Sequence, residues 1–246
     1  MFHIFNKKRF LVDLLDGFVD MHNHILPGID DGAKTHEDSI ELIKGFGDFG
    51  VKRFIATPHI MHNYYPNTPV TINESLALLK KIVDQEGLID IEIEAAAEHM
   101  IDANFETILE EGSVMPMKKN YLLIEMSYLQ SSINFSSSLK KITEERFFSI
   151  LAHPERYVFM HGKLGKHIKY KKKGMLYQMN ILSLSEFYGK EVQKMALKLL
   201  EENLYDFVGS DVHNIHQLNY LKEMKIGKKL SEVLPSLIEK TIYNFQ

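Results

Sequence analysis

Phe18-Val19-Asp20-Met21-His22-Asn23-His24-Ile25-Leu26-Pro27-Gly28-Ile29-Asp30-Asp31-Gly32 runs from an apolar start into two histidines, then into a glycine-flanked pair of aspartates. Alternate residues of a strand point the same way, so Asp20, His22 and His24 are expected on one face, with both imidazoles in reach of one cation. Alone, an HxH pair is weak evidence, and the Asp-Gly that follows also reads as a turn before a capped helix. Its weight comes from repetition of the pattern along the chain. The tracts 53–56, 91–96, 121–124, 148–152 and 206–209 also read as strands, and they run into His59, Glu98, Glu125, His153 and then Asp211 with His213. Only the tract 176–179 lacks such an ending.

Helical signals lie between these tracts. Thr35 with Asp38 and Thr71 with Glu74 have capping-box spacing, and Gly50 and Gly87 suit helix ends. Val192, Met195, Ala196, Leu199, Leu200 and Leu204 recur at helical intervals. A repeating βα order with short connections predicts a parallel α/β sheet. In a closed barrel all C-terminal strand ends open on one face, whereas an open sheet would spread them across its width. The expected fold is therefore a TIM-like barrel of about seven βα units with a hydrophilic mouth.

The chain has 246 residues, of which 45% are hydrophobic and 25% charged, the balance of a globular protein with one large core. The domain is expected to span residues 17–246. Residues 1–16 form an extension whose Phe2, Ile4, Phe5, Phe10, Leu11, Leu14 and Leu15 surround Lys7, Lys8 and Arg9. Packing on the body is the expectation there, with a membrane surface as the competitor. A net charge of -4 supplies no positive field for nucleic acid, and the absence of cysteine excludes thiolate chemistry. No apolar run reaches membrane-spanning length and no signal peptide is legible, so a cytoplasmic address is expected.

Each motif has a chemical reason. In Thr57-Pro58-His59 the proline stiffens the strand exit beneath the histidine, while His62 beyond it reads as a loop histidine. Ala95-Ala96-Ala97-Glu98 leaves space around a glutamate, and Leu122-Leu123-Ile124-Glu125 ends an apolar strand in another. Buried carboxylates need a cation or a partner, so a salt bridge to lysine or arginine is the alternative for either one. His153-Pro154-Glu155-Arg156-Tyr157 adds a guanidinium whose planar fork suits phosphoryl oxygens, unless Glu155 or another loop acid takes it. Gly209-Ser210-Asp211-Val212-His213-Asn214 supplies a second pair spaced two apart. Nitrogen and carboxylate ligands without sulfur fit manganese, zinc, iron or magnesium, and their number implies two or three ions with bridging carboxylates. Six lysines at 163–173 read as a solvated helix face, with attraction of an anionic phosphopeptide as the minority alternative.

In this order these motifs resemble the polymerase and histidinol phosphatase (PHP) family and, within it, the bacterial capsule-type protein-tyrosine phosphatases (CpsB/CapC-like). The resemblance covers the chain from about Gly17 to the C-terminus. It implies a distorted (β/α)7 barrel in a single domain, a cluster of manganese-like ions, and dephosphorylation of the tyrosine-rich tail of a bacterial kinase of polysaccharide export. Carried over by position, His22, His24, Glu98 and Asp211 hold one ion, and Glu98 bridges to a second held by Glu125 and His153. His59 and His213, with Asp31 or Asp30, hold a third. Arg156, Asp31 and His59 take the catalytic roles, and Arg156 binds phosphate. Members often carry a second arginine after the Ser-Asp-x-His-Asn motif, where this chain offers only His216 as a substrate-binding replacement. The implied mechanism is direct hydrolysis by a metal-bridging hydroxide, without a phosphoenzyme. A small-molecule phosphatase, such as one for histidinol phosphate, a nuclease-like member and a non-catalytic regulatory binder are the alternatives.

Overall fold

The computed structural model describes residues 8–246, so Phe2, Ile4, Phe5 and Lys7 of the extension lie outside the described residues. A short strand, β1 (Arg9–Phe10), pairs antiparallel with β11 (Lys225–Ile226), and the single turn at Leu11–Leu14 buries Leu11. The core then alternates: β2 (Val19–Asn23), α1 (His36–Gly47), β3 (Arg53–Ala56) and β4 (His59–Ile60), α2 (Pro69–Gln85), β5 (Glu92–Ala95) and β6 (Glu98–Met100), α3 (Phe105–Glu110), β7 (Tyr121–Glu125), α4 (Phe135–Glu144), β8 (Phe148–Ala152), α5 (Leu164–Lys172), β9 (Leu176–Asn180), α6 (Lys190–Glu201), β10 (Phe207–Gly209), α7 (Ile215–Glu223) and α8 (Lys228–Phe245).

Every pairing among the core strands is parallel, in the orders β2-β3-β5 and β4-β6-β7-β8-β9-β10. The break between β3 and β4 falls at Pro58, which has no N–H for a ladder. Hydrogen bonds carry the two ribbons across the breaks: Thr57 N donates to Asn23 O at 2.9 Å, Ala96 N to Ala56 O at 2.9 Å, and Glu98 N to Pro58 O at 3.1 Å. The sheet is thus curled, a parallel half-barrel within a single α/β domain. Beyond its last strand the chain returns to its first, with Asp211 N donating to His22 O at 2.7 Å and His24 N to Val212 O at 3.0 Å.

Two apolar layers flank the sheet. The larger joins the strands to the helices through residues such as Phe54, Leu122 and Leu151 against Ile43, Leu79 and Leu199. The smaller holds Val19, Met21, Ile55, Leu123, Ile150 and Phe207 on the concave side, closed by Phe245 of α8, whose ring centroid lies 5.0 Å from that of Phe207. Helix α6 buries Met195, Ala196, Leu199 and Leu200, as its periodicity predicts. Burying a leucine contributes about 2 kcal/mol, so this face is enough to fix the helix on the sheet.

Two local expectations are corrected. The capping box of α2 is Thr68 with Thr71, not Thr71 with Glu74, because Pro69 fits the first helical turn. Simple alternation also fails in β2, where the register against β3 shifts between Asp20 and Asn23. The irregularity turns His22 toward the other ligands and leaves Asp20 to Ser210, whose Oγ donates to Asp20 Oδ2 at 2.6 Å.

His167 of α5 is buried edge-on to Tyr177, with ring centroids 5.7 Å apart. Burial disfavours its charged form and lowers its pKa from 6.5 to about 4. A depressed folded-state value means its stabilising contribution is complete above pH 6.5 and is lost as pH falls toward 4. The loss is about 3 kcal/mol over that window. Urea denaturation across this range should therefore show the wild type losing about 3 kcal/mol relative to His167→Leu; parallel curves would contradict it.

Candidate active site

The strand ends bring the expected acids and imidazoles together around Glu98, which is fully buried. Glu98 Oε1 lies 3.0 Å from His153 Nε2, while Oε2 lies 3.2 Å from both His22 Nε2 and His59 Nδ1. Asp211 Oδ1 stands 3.3 Å from His22 Nε2 and 3.4 Å from His24 Nε2. Glu125 Oε1 is 2.9 Å from His59 Nδ1. On the open side, Asp31 Oδ1 lies 3.4 Å from His59 Nε2 and 3.7 Å from His213 Nε2. Three overlapping sets of donors result: His22, His24, Glu98 and Asp211; His59, Glu98 and Glu125; and His24, Asp31, His59 and His213.

Neighbouring groups aim these ligands. Gln178 Oε1 lies 2.9 Å from His22 Nδ1, Asp30 Oδ2 lies 2.7 Å from His24 Nδ1, and Asp211 O lies 2.9 Å from His213 Nδ1. Each contact accounts for one ring nitrogen and leaves Nε2 facing the cluster, the arrangement that fixes metal-ligating histidines. Removing the acceptor in Gln178→Leu should weaken metal affinity by about 10–100-fold with the fold intact. Titration with manganese checks this, and unchanged affinity would contradict it.

The backbone is adapted to the same end. A Cβ on Gly32 would lie 2.1 Å from His24 O, and one on Gly209 would lie 2.7 Å from His22 Cβ, so only glycine admits the ligand strand at these points. His153 and Asp211, both candidate ligands, adopt left-handed φ values of 33° and 53°, which are costly for non-glycine residues.

Electrostatics point to cations. Burial alone would raise Glu98 and Asp211, but the facing imidazoles, His22 foremost, hold both carboxyls well below the usual range. Burial would lower His22, His24 and His59, and the carboxylates reverse this and raise all three. Protons on these imidazoles would offset the acids. Divalent ions would replace those protons, since metal binding requires neutral imidazole. Among the described residues, His22 Nε2, His24 Nε2, His59 Nδ1, Glu98 Oε2 and Glu125 Oε1 are buried without a hydrogen-bond partner. Unpartnered polar atoms converging on one centre are expensive unless a cation satisfies them, and the donor set fits one.

Above the cluster opens a pocket of about 670 Å³, lined by Asp31, His59, Glu125 and His213 at its polar side and by Met61, Tyr65, Met126 and Tyr128 at its apolar side. Arg156 also lines it. Its Nη1 donates to Asp211 Oδ2 at 2.6 Å, and its guanidinium lies 4.5 Å from the ring centroid of Tyr128 and 4.1 Å from that of Tyr188. Glu155 is not its partner: that acid accepts from Tyr205 Oη and Asn180 N, both at 2.9 Å.

Some expected residues stand elsewhere. Asp30 is spent on His24, on His59 N at 3.1 Å and on Gly32 N at 2.8 Å, whereas Asp31, half exposed, joins the donors. His153 meets Glu98 but lies outside the set that contains Glu125. His216 is exposed beside Phe187, and Gln217 rather than His216 lines the pocket. His62 lies at the pocket wall. Gln178, Asn180, Tyr128 and Tyr188 carry no spacing signature and are found only in three dimensions. Asn180 Nδ2 donates to Asp211 Oδ2 at 2.7 Å, so the strand that seemed to lack a functional ending supplies two positioning amides.

Comparison with known proteins relates the chain to a family. Residues 18–229 match the family described as capsular polysaccharide synthesis, CpsB/CapC. The chain is 29% identical over 234 residues to the tyrosine-protein phosphatase YwqE of Bacillus subtilis (strain 168), covering 92% of each chain. It is 30% identical over 214 residues to the putative tyrosine-protein phosphatase CapC of Staphylococcus aureus, covering 86% of this chain and 84% of that one. Among solved structures, one reported for YwqE from Bacillus subtilis and CpsB from Streptococcus pneumoniae, described as unique metal-dependent tyrosine phosphatases, superposes with a TM-score of 0.77 at 28% identity, covering 93% of this chain and 95% of that one. With its strand-end motifs gathered at one centre and its matched region spanning most of its length, the chain belongs to the CpsB/CapC family.

Proposed function

We propose that this protein is a metal-dependent tyrosine phosphatase, a phosphoric monoester hydrolase acting on phosphotyrosine in a protein substrate. The observation that carries this reading is Glu98, fully buried, shared between two sets of donors and lying below a pocket edged by Arg156. The named activity of YwqE and CapC supports it. His22, His24, Glu98 and Asp211 would hold one ion, Glu98 and Glu125 with His59 or His153 a second, and Asp31, His59 and His213 a third. Manganese is the ion we favour. When bound, the ions would polarise phosphoryl oxygens and supply an acidified water at neutral pH.

The chain's own residues do the rest. Asp211 takes one of the five guanidinium donors of Arg156, leaving others for phosphoryl oxygens as charge builds on them. Tyr128 and Tyr188 hold the guanidinium plane in place. Met61, Tyr65, Met126 and Tyr128 offer the substrate ring an apolar wall. A phenolate leaving group, with a pKa of about 10, needs little help from a general acid.

The finer parts of the proposal have their own support. The bonds from Asp211 to His22 and from His24 to Val212 favour a distorted (β/α)7 barrel. Burial of Leu11 and Leu15 favours packing of residues 8–16, the described part of the extension, on a domain spanning 17–246. The family's link to capsular polysaccharide synthesis favours a kinase tail of polysaccharide export as substrate, in the cytoplasm. No helix among the described residues is long and apolar enough to cross a membrane.

The test is manganese-loaded protein assayed on a phosphotyrosine peptide, histidinol phosphate and a small aryl phosphate. Turnover of the peptide with inversion at phosphorus is expected. Hydrolysis confined to histidinol phosphate, or retention of configuration, would overturn the proposal.

A further inference from the structure

Beside the candidate active site lies a second depression of about 600 Å³, between the start of α3 and the loop that joins β7 to α4. The two share a wall of Met100, Asp102 and Ser127. This wall is fixed in place. Asp102 accepts from His62 N at 2.7 Å on the active-site side and from Asn104 N at 2.8 Å on the other, while Asn134 Nδ2 donates to Asp102 O at 2.9 Å and ties the loop to the helix start. A groove held this way is ready before a ligand arrives, which lowers the entropic cost of binding.

The lining is mixed and offers no cation of its own: its polar groups are Gln130, Ser131, Ser132 and Ser137, which stand with the acids Asp102 and Glu106. Lys141 sits 2.8 Å from Glu106 and offsets one of the two charges, which leaves the groove with a slight negative balance. Ile101 and Ile133 add apolar surface, and Ile133 is fully exposed.

We infer that this groove is a second subsite, which receives an uncharged or basic residue flanking the phosphotyrosine of a peptide substrate and disfavours an acidic one. The inference rests on the proposed phosphatase function. Continuity supports it: a peptide whose phosphotyrosine sits over Glu98 and leaves in an extended form advances about 3.3 Å per residue, so its next few residues cross the shared wall. An acid there would meet Asp102 and Glu106 with only Lys141 as a counterion.

The test compares kcat/KM for phosphotyrosine peptides carrying serine, lysine or aspartate at the positions flanking the phosphotyrosine on either side, with a small aryl phosphate as reference. Serine and lysine peptides should exceed the aspartate peptide by about 5–10-fold at one or more of these positions, on the order of one 1.4 kcal/mol step. Ala103→Trp, which fills the exposed flank of the groove, should raise KM for the serine peptide by a similar factor and leave the aryl phosphate unchanged. Ser132→Lys should remove the penalty on aspartate. Equal kcat/KM for all peptides, or equal loss on peptide and aryl phosphate in Ala103→Trp, would overturn the subsite. Failure of the wild type to turn over either the peptides or the aryl phosphate would instead overturn the phosphatase function itself.

Discussion

Glu98→Gln should lower kcat by about 10³-fold or more, the rate equivalent of the several kcal/mol that metal-assisted charge stabilisation supplies. The substitution keeps the shape and removes the charge. Both oxygens of Glu98 face imidazole nitrogens, Oε1 that of His153 and Oε2 those of His22 and His59, so an amide at this position turns one oxygen into an N–H donor. That donor faces imidazole nitrogens on one side and the place of a cation on the other. Bound metal should fall together with kcat, because two sets of donors lose the same member. Mass spectrometry of the metal content alongside kcat checks this, and circular dichroism confirms that the fold is kept. A variant that keeps both its ions and its rate would remove Glu98 from the centre of the account.

Arg156→Lys should lower kcat/KM by about 10²–10³-fold, the range seen when one preorganised donor to a developing oxyanion is lost. Charge is conserved, so the loss isolates geometry. Lysine has no planar face to lie between Tyr128 and Tyr188, and its ammonium cannot hold Asp211 and reach two phosphoryl oxygens in one fixed fork. The effect should appear in kcat as well as KM, since the charge on these oxygens grows toward the transition state. Steady-state kinetics on an aryl phosphate are sufficient. A change confined to KM would show that Arg156 only binds the substrate.

Much of the site was legible because a parallel curled sheet turns strand order into spatial convergence. His22, His24, His59, Glu98, Glu125, His153, Asp211 and His213 each follow an apolar tract, and that local signal survives without coordinates. The choice between Asp30 and Asp31 was not legible. They are adjacent, and only the turn closed at Gly32, with no room for a Cβ against His24 O, decides which one faces the cluster. The place of His216 has a similar cause: helical phase in α7 sends Gln217 to the pocket and His216 toward Phe187. Gln178, Asn180, Tyr128 and Tyr188 were silent because amides and tyrosines are common and their work is to position others. The irregularity in β2 was hidden too, since alternation is the default and a register shift leaves no fixed mark in sequence.

The most direct measurement is phosphotyrosine-peptide hydrolysis by chelator-stripped protein during stepwise return of manganese, with bound metal counted at each step. Activity should be absent in the stripped protein and should rise with occupancy to two or three ions per chain. Full turnover by protein free of metal would contradict the account.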